Sequence, residues 1–507
     1  MMHEPSTDHF LLTVVHLQRE SETPLYRQLY NGLRQAILEG QLAPGARLPS
    51  SRDLADLLGV SRNTVLGAFD QLLAEGYLKT RVGSGTYVTE RLPEAYVQAY
   101  RRRPERAGRE GATDSRRKRS LSQRGQAFAA HFRGGAGAEI RPLFAINRPD
   151  LDAFPFDVWS RLAARCLKEL PRSRFGYGRG EGGLRRLQEA IARYLRAARA
   201  ARCEPEQIFV VAGSQQALFL AAQVLLDRGD AAWLENPGYR GAWAALACAD
   251  AQLLPAPVDG EGLNVEQAQR VGEARLAYVT PSHQFPLGYT MSLARRTQLL
   301  QWAEANDAWI IEDDYDSEFR YSGAPLGSLQ GLDVNQRVIY VGTFSKVLFP
   351  GLRLGYLIVP PDLIGAFTVA RGAMTLSPPV LAQAVLARFM EEGHFARHIR
   401  RTRTRYGRRC QALVTAIEES AAGALQSGPR EAGLHLTAWL PPGTDEQSVR
   451  EASAARDVTV TPLSAFCLEP LARPGLVLGF GSAPVDDIHG GVQRLAQAID
   501  EARKRRK

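Results

Sequence analysis

Four short runs mark the chain from Ile140 onward: Ile208-Phe209-Val210-Val211, Leu276-Ala277-Tyr278-Val279, Trp309-Ile310-Ile311 and Val338-Ile339-Tyr340-Val341. Each is apolar on both faces, and helical stretches lie between them. A strand without a polar face must be covered on two sides, which is the condition of a parallel α/β sheet. That sheet cannot be the whole protein, because 507 residues exceed the roughly 250–300 at which one core stops growing. Composition separates three zones: a domain over residues 20–89, an Arg-, Gly- and Ser-rich linker over 90–139, and the α/β domain over 140–507.

Forty-five percent of the residues are hydrophobic and 23% charged, which supports large cores and confines disorder to segments. The formal charge of +9 favours an anionic partner, and its distribution matters more than its size. Arg101, Arg102, Arg103, Arg106, Arg109, Arg116, Arg117, Lys118 and Arg119 crowd the linker. Two readings of them stand: contacts to DNA phosphates, or a tether kept extended by self-repulsion. The five cysteines never fall at a CxxC spacing, so neither a disulfide framework nor a structural zinc site is expected, and no metal is assigned. With His3, Glu4 and Asp8 where a signal peptide needs basic and then apolar residues, and no run near ~20 apolar residues, a cytoplasmic protein without a membrane span is expected.

Near the start, Leu25, Leu29, Leu33, Ile37 and Leu38 recur at helical spacing before Gly40. A second helix opens at Pro49-Ser50-Ser51, with Ser50 or Ser51 as its cap and Leu54, Ala55, Leu57 and Leu58 facing inward; Gly59 suits its left-handed end. Ser61 then caps a third helix from Arg62, with Val65, Phe69, Leu72 and Leu73 inside. Helix, tight turn and capped helix form the helix-turn-helix pattern, whose second helix offers its N-terminal residues to base edges. Arg62, Asn63 and Thr64 stand there; Arg forks onto guanine and Asn onto adenine, while Ser61 and Arg52 suit phosphates. Strand-like Tyr77-Leu78 and Thr86-Tyr87-Val88 flank a basic glycine-rich tip at Gly83. A protein-binding helical bundle would show the same helices. The ordered words LPSSRDLADLLGVSRNTV, LLAEGYL and GSGTYV resemble the winged domain of the GntR family over Pro24 to Thr89. That resemblance implies operator contacts by Arg52, Ser61, Arg62, Thr64 and Gly83.

In the α/β zone, VGTFSKVLFPGLRLGY places Lys346 just past a buried strand, with Ser345 before it and Arg353 after it. Lost solvation there lowers a lysine pKa and frees the amine for a Schiff base, and hydroxyls beside an Arg suit a phosphate. Upstream, IIEDDYDSE clusters Glu312, Asp313, Asp314 and Asp316 at another strand end, where α/β sheets bind ligands. One buried acid there can keep a pyridinium nitrogen protonated; the others face solvent or cap. Gly213-Ser214-Gln215-Gln216, between a strand and an Ala/Leu-rich helix, reads as a phosphate cradle. Tyr239 offers a ring to stack on a planar group, and TPSHQFPLG offers His283 and Gln284 as polar contacts.

In this order the words resemble fold-type I enzymes dependent on pyridoxal 5'-phosphate, and specifically the aminotransferase-like half of the MocR branch of GntR regulators, over Ile140 to Ala502. The fold implied is a winged helix-turn-helix followed by an aminotransferase-like α/β domain with a mainly parallel sheet and a small C-terminal α+β subdomain. The resemblance implies pyridoxal phosphate as an internal aldimine on Lys346, Asp313 against the ring nitrogen and Tyr315 near the ring O3'. It further implies Ser214, Gln215, Ser345 and Arg353 on the phosphate, Tyr239 stacked on the ring, and Tyr177 lent to the neighbouring site of a homodimer. Two departures stand out. Phe285-Pro286-Leu287-Gly288 replaces Asn-Pro-x-Gly, leaving His283 or Gln284 as substitutes for the Asn, and Val477 in GLVLGFG takes the place of the Arg that binds a substrate carboxylate, with Arg473 nearby. The expected function is a transcription regulator that binds a double-stranded DNA operator and senses the cofactor, an amine or an amino acid. The rival is an aminotransferase with an accessory DNA-binding domain.

Overall fold

The computed structural model describes residues 15, 17–81, 84–90, 121–123, 125–126, 143–176, 182–323, 326–375 and 378–504. They form two compact units, Met1–Lys118 and Arg119–Lys507. Gly83, Tyr177 and the linker arginines named above lie outside the described residues.

In the N-terminal unit, helices α1 (Leu25–Leu38), α2 (Ser51–Leu58) and α3 (Arg62–Ala74) precede the antiparallel pair β1 (Leu78–Arg81) and β2 (Gly85–Val88). Of the two candidate caps for α2 it is Ser50 that serves, its hydroxyl accepting from the Asp53 amide at 3.2 Å. Gly59 ends α2 at φ 62°, ψ 36°, a left-handed conformation that costs a residue with a Cβ roughly 1 kcal/mol or more. One apolar cluster joins the elements, with Leu29 and Leu33 of α1, Leu54 of α2, Val65, Phe69 and Leu72 of α3 and Val88 of β2 all buried. Leu57, Leu58 and Leu73 pack at its margin.

The C-terminal unit is built on an eight-stranded sheet, β3 (Ile208–Val211), β4 (Ala231–Asn236), β5 (Gln252–Asp259), β6 (Gly262–Leu263), β7 (Leu276–Val279), β8 (Trp309–Asp314), β9 (Val338–Thr343) and β10 (Gly355–Ile358). Its order is β3-β10-β9-β8-β7-β4-β5-β6. Pairings from β9 through β5 are parallel, whereas β10 runs antiparallel to both neighbours and β6 antiparallel to β5. All residues of β3, β7 and β9 are buried, as doubly covered strands must be. Side-chain alternation divides the core: Ile208, Val210, Tyr340 and Ile358 join one cluster, while Phe209, Val211, Ile339, Val341 and Leu357 join another on the opposite face.

A 27-residue helix, His394–Ser420, leads to a second, antiparallel sheet of order β11-β12-β14-β13, made of Gln426–Ser427, His435–Trp439, Gly475–Gly479 and Thr461–Pro462 in that spatial order. Because β10 reverses between them, β3 points the same way as β9, and the carboxyl ends of β3, β4, β7, β8 and β9 share one edge of the large sheet. Among the described residues no helix is long and apolar enough to cross a membrane.

Candidate functional site

That edge holds a cavity of about 220 Å³ lined by Asn147, Gly213, Ser214, Gln215, Tyr239, Tyr278, Phe285, Asp313, Tyr315, Thr343, Ser345, Lys346, Pro350 and Arg353. Gly213, Ser214, Tyr278, Asp313, Thr343, Ser345 and Lys346 enter from the last residues of a strand or just past one. Ser214 opens the 12-residue helix Ser214–Leu225 directly after β3, and Gly213 before it sits at φ 107° with no side-chain cap. The free amides of that helix end therefore face the cavity with partial positive charge. Arg353 adds a full one: a Cβ on Gly213 would lie 3.8 Å from its guanidinium. Gly355 lets the reversed strand pass, because a Cβ there would sit 2.9 Å from the Gly213 backbone.

Lys346 donates to the Asn147 carbonyl at 3.1 Å. Desolvation pulls its pKa down to about 8, against the attraction of Asp316 and Asp313, so an appreciable fraction of the amine is neutral near pH 7. Asp313 closes the opposite wall. Burial pushes it up to about 7, although the Tyr278 hydroxyl works the other way, donating to Oδ2 at 2.8 Å. Its Oδ1 is buried and has no hydrogen-bond partner, an exception among native carboxylates. Tyr239, raised to about 12 by burial, sets an aromatic wall with Phe285, ring centroids 5.9 Å apart at 84°.

The acid cluster separates by partner. Glu312 accepts from the Leu329 and Gln330 amides at 2.8 Å each, Asp314 from Arg199 at 2.8 Å and Tyr340 at 2.5 Å, and Asp316 faces His283 at 3.1 Å. Only Asp313 of these turns into the cavity.

Of the residues expected from the sequence, Ser214, Gln215, Tyr239, Asp313, Tyr315, Ser345, Lys346 and Arg353 line this one cavity. His283 does not, which corrects its expected place among the direct contacts. Its Nδ1 is committed to Asp316 and, at 2.9 Å, to the Tyr315 hydroxyl, so it stands behind Tyr315. Gln284 turns away as well, donating to the Pro237 carbonyl at 2.9 Å and to Glu235 at 3.3 Å. Neither therefore replaces the missing Asn, and the Phe285 ring takes that wall. Val477 is buried in an apolar cluster with Phe285, Leu287, Leu463 and Phe466. Arg473 lies over the Trp439 ring and donates to Gln426, outside the cavity lining. Asn147 and Tyr278 were not anticipated: Asn147 contributes a carbonyl, and Tyr278 sits within a run that reads as plain apolar strand.

Both halves also match known proteins. Residues 25–88 match the gntR family of bacterial regulatory proteins, and residues 143–475 match class I and II aminotransferases. The chain is 41% identical to the probable rhizopine catabolism regulatory protein MocR of Rhizobium meliloti over 95% of each chain. The chain belongs to the MocR-type GntR regulators. Its C-terminal unit is similar to solved aminotransferases. The multiple substrate aminotransferase of Thermococcus profundus superposes with TM-score 0.68 at 30% identity, over 76% of this chain and 98% of that one. The kynurenine aminotransferase of Pyrococcus horikoshii, solved in complex with PMP, gives 0.67 at 28% identity over 77% and 97%.

Membership in this family makes the N-terminal unit of the regulator a DNA reader. Ser61 caps α3 with its hydroxyl, accepting from the Thr64 amide at 3.1 Å and meeting the Thr64 hydroxyl at 2.9 Å. Arg62 is anchored across the turn by a 3.2 Å bond from Nε to Ser51. Arg52, Ser61, Arg62 and Asn63 are exposed and Thr64 half-buried, so the start of α3 presents donors outward while its other face is fixed in the core.

Proposed function

We propose that this regulator carries pyridoxal 5'-phosphate in the cavity. In this reading, occupancy, or an amine reacting at the site, changes its affinity for a double-stranded operator. The observation that carries the reading is Asp313 Oδ1, buried without a partner in the wall of a cavity that also holds Lys346. A buried carboxylate oxygen needs a donor, and a pyridinium N–H is one. The remaining lining suits the same group. Lys346 would hold the aldehyde carbon. Ser214, Gln215, Ser345 and Arg353 would hold the phosphate through a helix N-terminus, hydroxyls and a guanidinium. Tyr239 would face the ring, and Tyr315 its phenolic oxygen. Bound there, the cofactor supplies an electron sink for amines.

The chain's own groups do the rest. Tyr278 fixes Asp313 through Oδ2 and leaves Oδ1 without a partner. Asp313, shifted to about 7, holds a proton readily and becomes a stable carboxylate once a cation faces it. Lys346, at about 8, is a neutral nucleophile often enough to react near neutrality. Among the described residues the lining offers no cation besides Lys346 and Arg353, and the place of a carboxylate-binding Arg is filled by buried Val477. This supports sensing without full transamination, which needs the substrate carboxylate oriented for proton transfer. We further propose domains at 20–89 and 140–507 joined by the basic linker 90–139, and a homodimer in which Tyr177 reaches the neighbouring site.

The decisive experiment selects DNA fragments with the purified protein, with and without pyridoxal phosphate, for the wild type and Lys346→Ala. A selected site whose affinity changes with cofactor only when Lys346 is present is expected. Steady turnover of an amino donor with a keto acid would make the protein an aminotransferase instead, and cofactor-indifferent binding by the wild type would remove the sensory role.

A further inference from the structure

Tyr315 lines the cavity, yet its hydroxyl is engaged from behind. It lies 2.9 Å from His283 Nδ1, and the same nitrogen lies 3.1 and 3.2 Å from the two oxygens of Asp316. Asp316 is 1% and His283 3% exposed, so water does not screen this contact. An ionised carboxylate only accepts. A ring nitrogen that meets both oxygens of a buried carboxylate is placed to donate a hydrogen to them, because its bare lone pair would face two acceptors. That N–H is shared with the Tyr315 oxygen, which accepts. A phenol whose oxygen is held as acceptor on one side directs its own hydrogen to the other, into the cavity. The imidazole is held by the main chain around it: Gly433 sits at φ +90°, and a Cβ there would collide with the ring.

We infer that His283 and Asp316 are a positioning pair which fixes the tautomer behind Tyr315 and thereby makes Tyr315 a standing proton donor to an anionic oxygen in the cavity. This rests on the reading that the occupant is pyridoxal phosphate, whose phenolic oxygen is that acceptor. The pair answers the loss of Asn at position 285: with Phe285 on that wall, Tyr315 is the hydroxyl left to serve the phenolic oxygen, and its orientation cannot be left to chance. Losing the donor makes the phenolic oxygen more basic, so the bound chromophore releases its proton at higher pH.

The test is a pH titration of the visible spectrum of the full-length protein loaded with pyridoxal phosphate. Asp313 and Asp314 from β8, Glu235 from β4, His435 from the small sheet and Lys346 all act on Tyr315 or on the two imidazoles. They are unchanged in every variant, so a shared shift reports the pair. Tyr315→Phe and His283→Phe are each expected to raise the midpoint by about one unit, the scale of one hydrogen bond to a charged group. The double variant should move no further than either single one, because both remove the same donor. His283→Asn, whose amide can stand in for the Nδ1 hydrogen, should return most of the shift. If His283→Phe fails to fold, the nearly isosteric Asp316→Asn removes the demand for that hydrogen and should move the midpoint the same way. A wild-type midpoint in His283→Phe or Asp316→Asn, or additive shifts in the double variant, overturns the inference while leaving the cofactor reading intact. A wild-type protein that takes up no chromophore overturns both.

Discussion

The two units handle polar groups in opposite ways. At the start of α3, Arg62 and Asn63 stand exposed above a small apolar core. At the edge of the large sheet, Asp313, Lys346 and Tyr239 are desolvated and all displaced from their ordinary pKa values. An exposed reader stays charged at every cellular pH and depends on salt and partner. A buried site stores cost in unpaired groups until a ligand completes it. The comparison teaches that these two sites should respond to different perturbations and, in the absence of cofactor, fail independently.

The largest expected effect separates them outright. Lys346→Ala should abolish the visible chromophore given by added pyridoxal phosphate, while DNA affinity measured without cofactor stays within about twofold of wild type, as for sites that share no partners. A collapse of that affinity would show the units to be coupled even when the cavity is empty of cofactor.

Asp313→Asn sharpens the stored-cost side. In the folded protein Asp313 titrates at about 7, against about 4 for a free carboxylate. Between those values the folded state holds the extra proton, so stability falls as pH rises through the window and is then flat. Removing the charge should make the cofactor-free variant more stable than wild type above about pH 7, by roughly 2–4 kcal/mol, with the two converging near about pH 4. Urea unfolding at several pH values measures this, and a variant less stable than wild type at alkaline pH would refute it. The same substitution should weaken cofactor retention.

On the exposed side, Arg62→Ala and Asn63→Ala should each cost about 1–3 kcal/mol of discrimination between operator and altered sites, with the bound chromophore unchanged. A uniform loss across sequences would instead make them phosphate contacts. The smallest effect is Ser61→Ala, which removes the cap on the Thr64 amide and should lower the stability of the N-terminal unit by about 1 kcal/mol. A drop in operator affinity far beyond that would assign Ser61 a contact of its own.

Much of the site was legible because it is local. Lys346 and Ser214 follow a strand within three residues and Asp313 sits at a strand's end, and a parallel sheet delivers strand ends to one edge. The helix caps at Ser50 and Ser61 were legible for the same reason, since a cap is decided within four residues. His283 was misplaced because its partner, Asp316, comes from another strand end, and only packing shows that the imidazole faces Tyr315 from behind. Tyr278 stayed hidden inside an apolar run, its hydroxyl reaching across the sheet to Asp313.

By itself, then, the amino-acid sequence determined the two-part organisation, the doubly covered strands and the capped reading helix. These follow from short-range rules of periodicity, capping and composition. Tertiary structure alone decided which acid of Glu312, Asp313, Asp314 and Asp316 lines the cavity, where Val477 and Gln284 turn, and what stands behind Tyr315. Those outcomes depend on partners far apart in the chain and on exclusion of water, and neither is written in any local pattern.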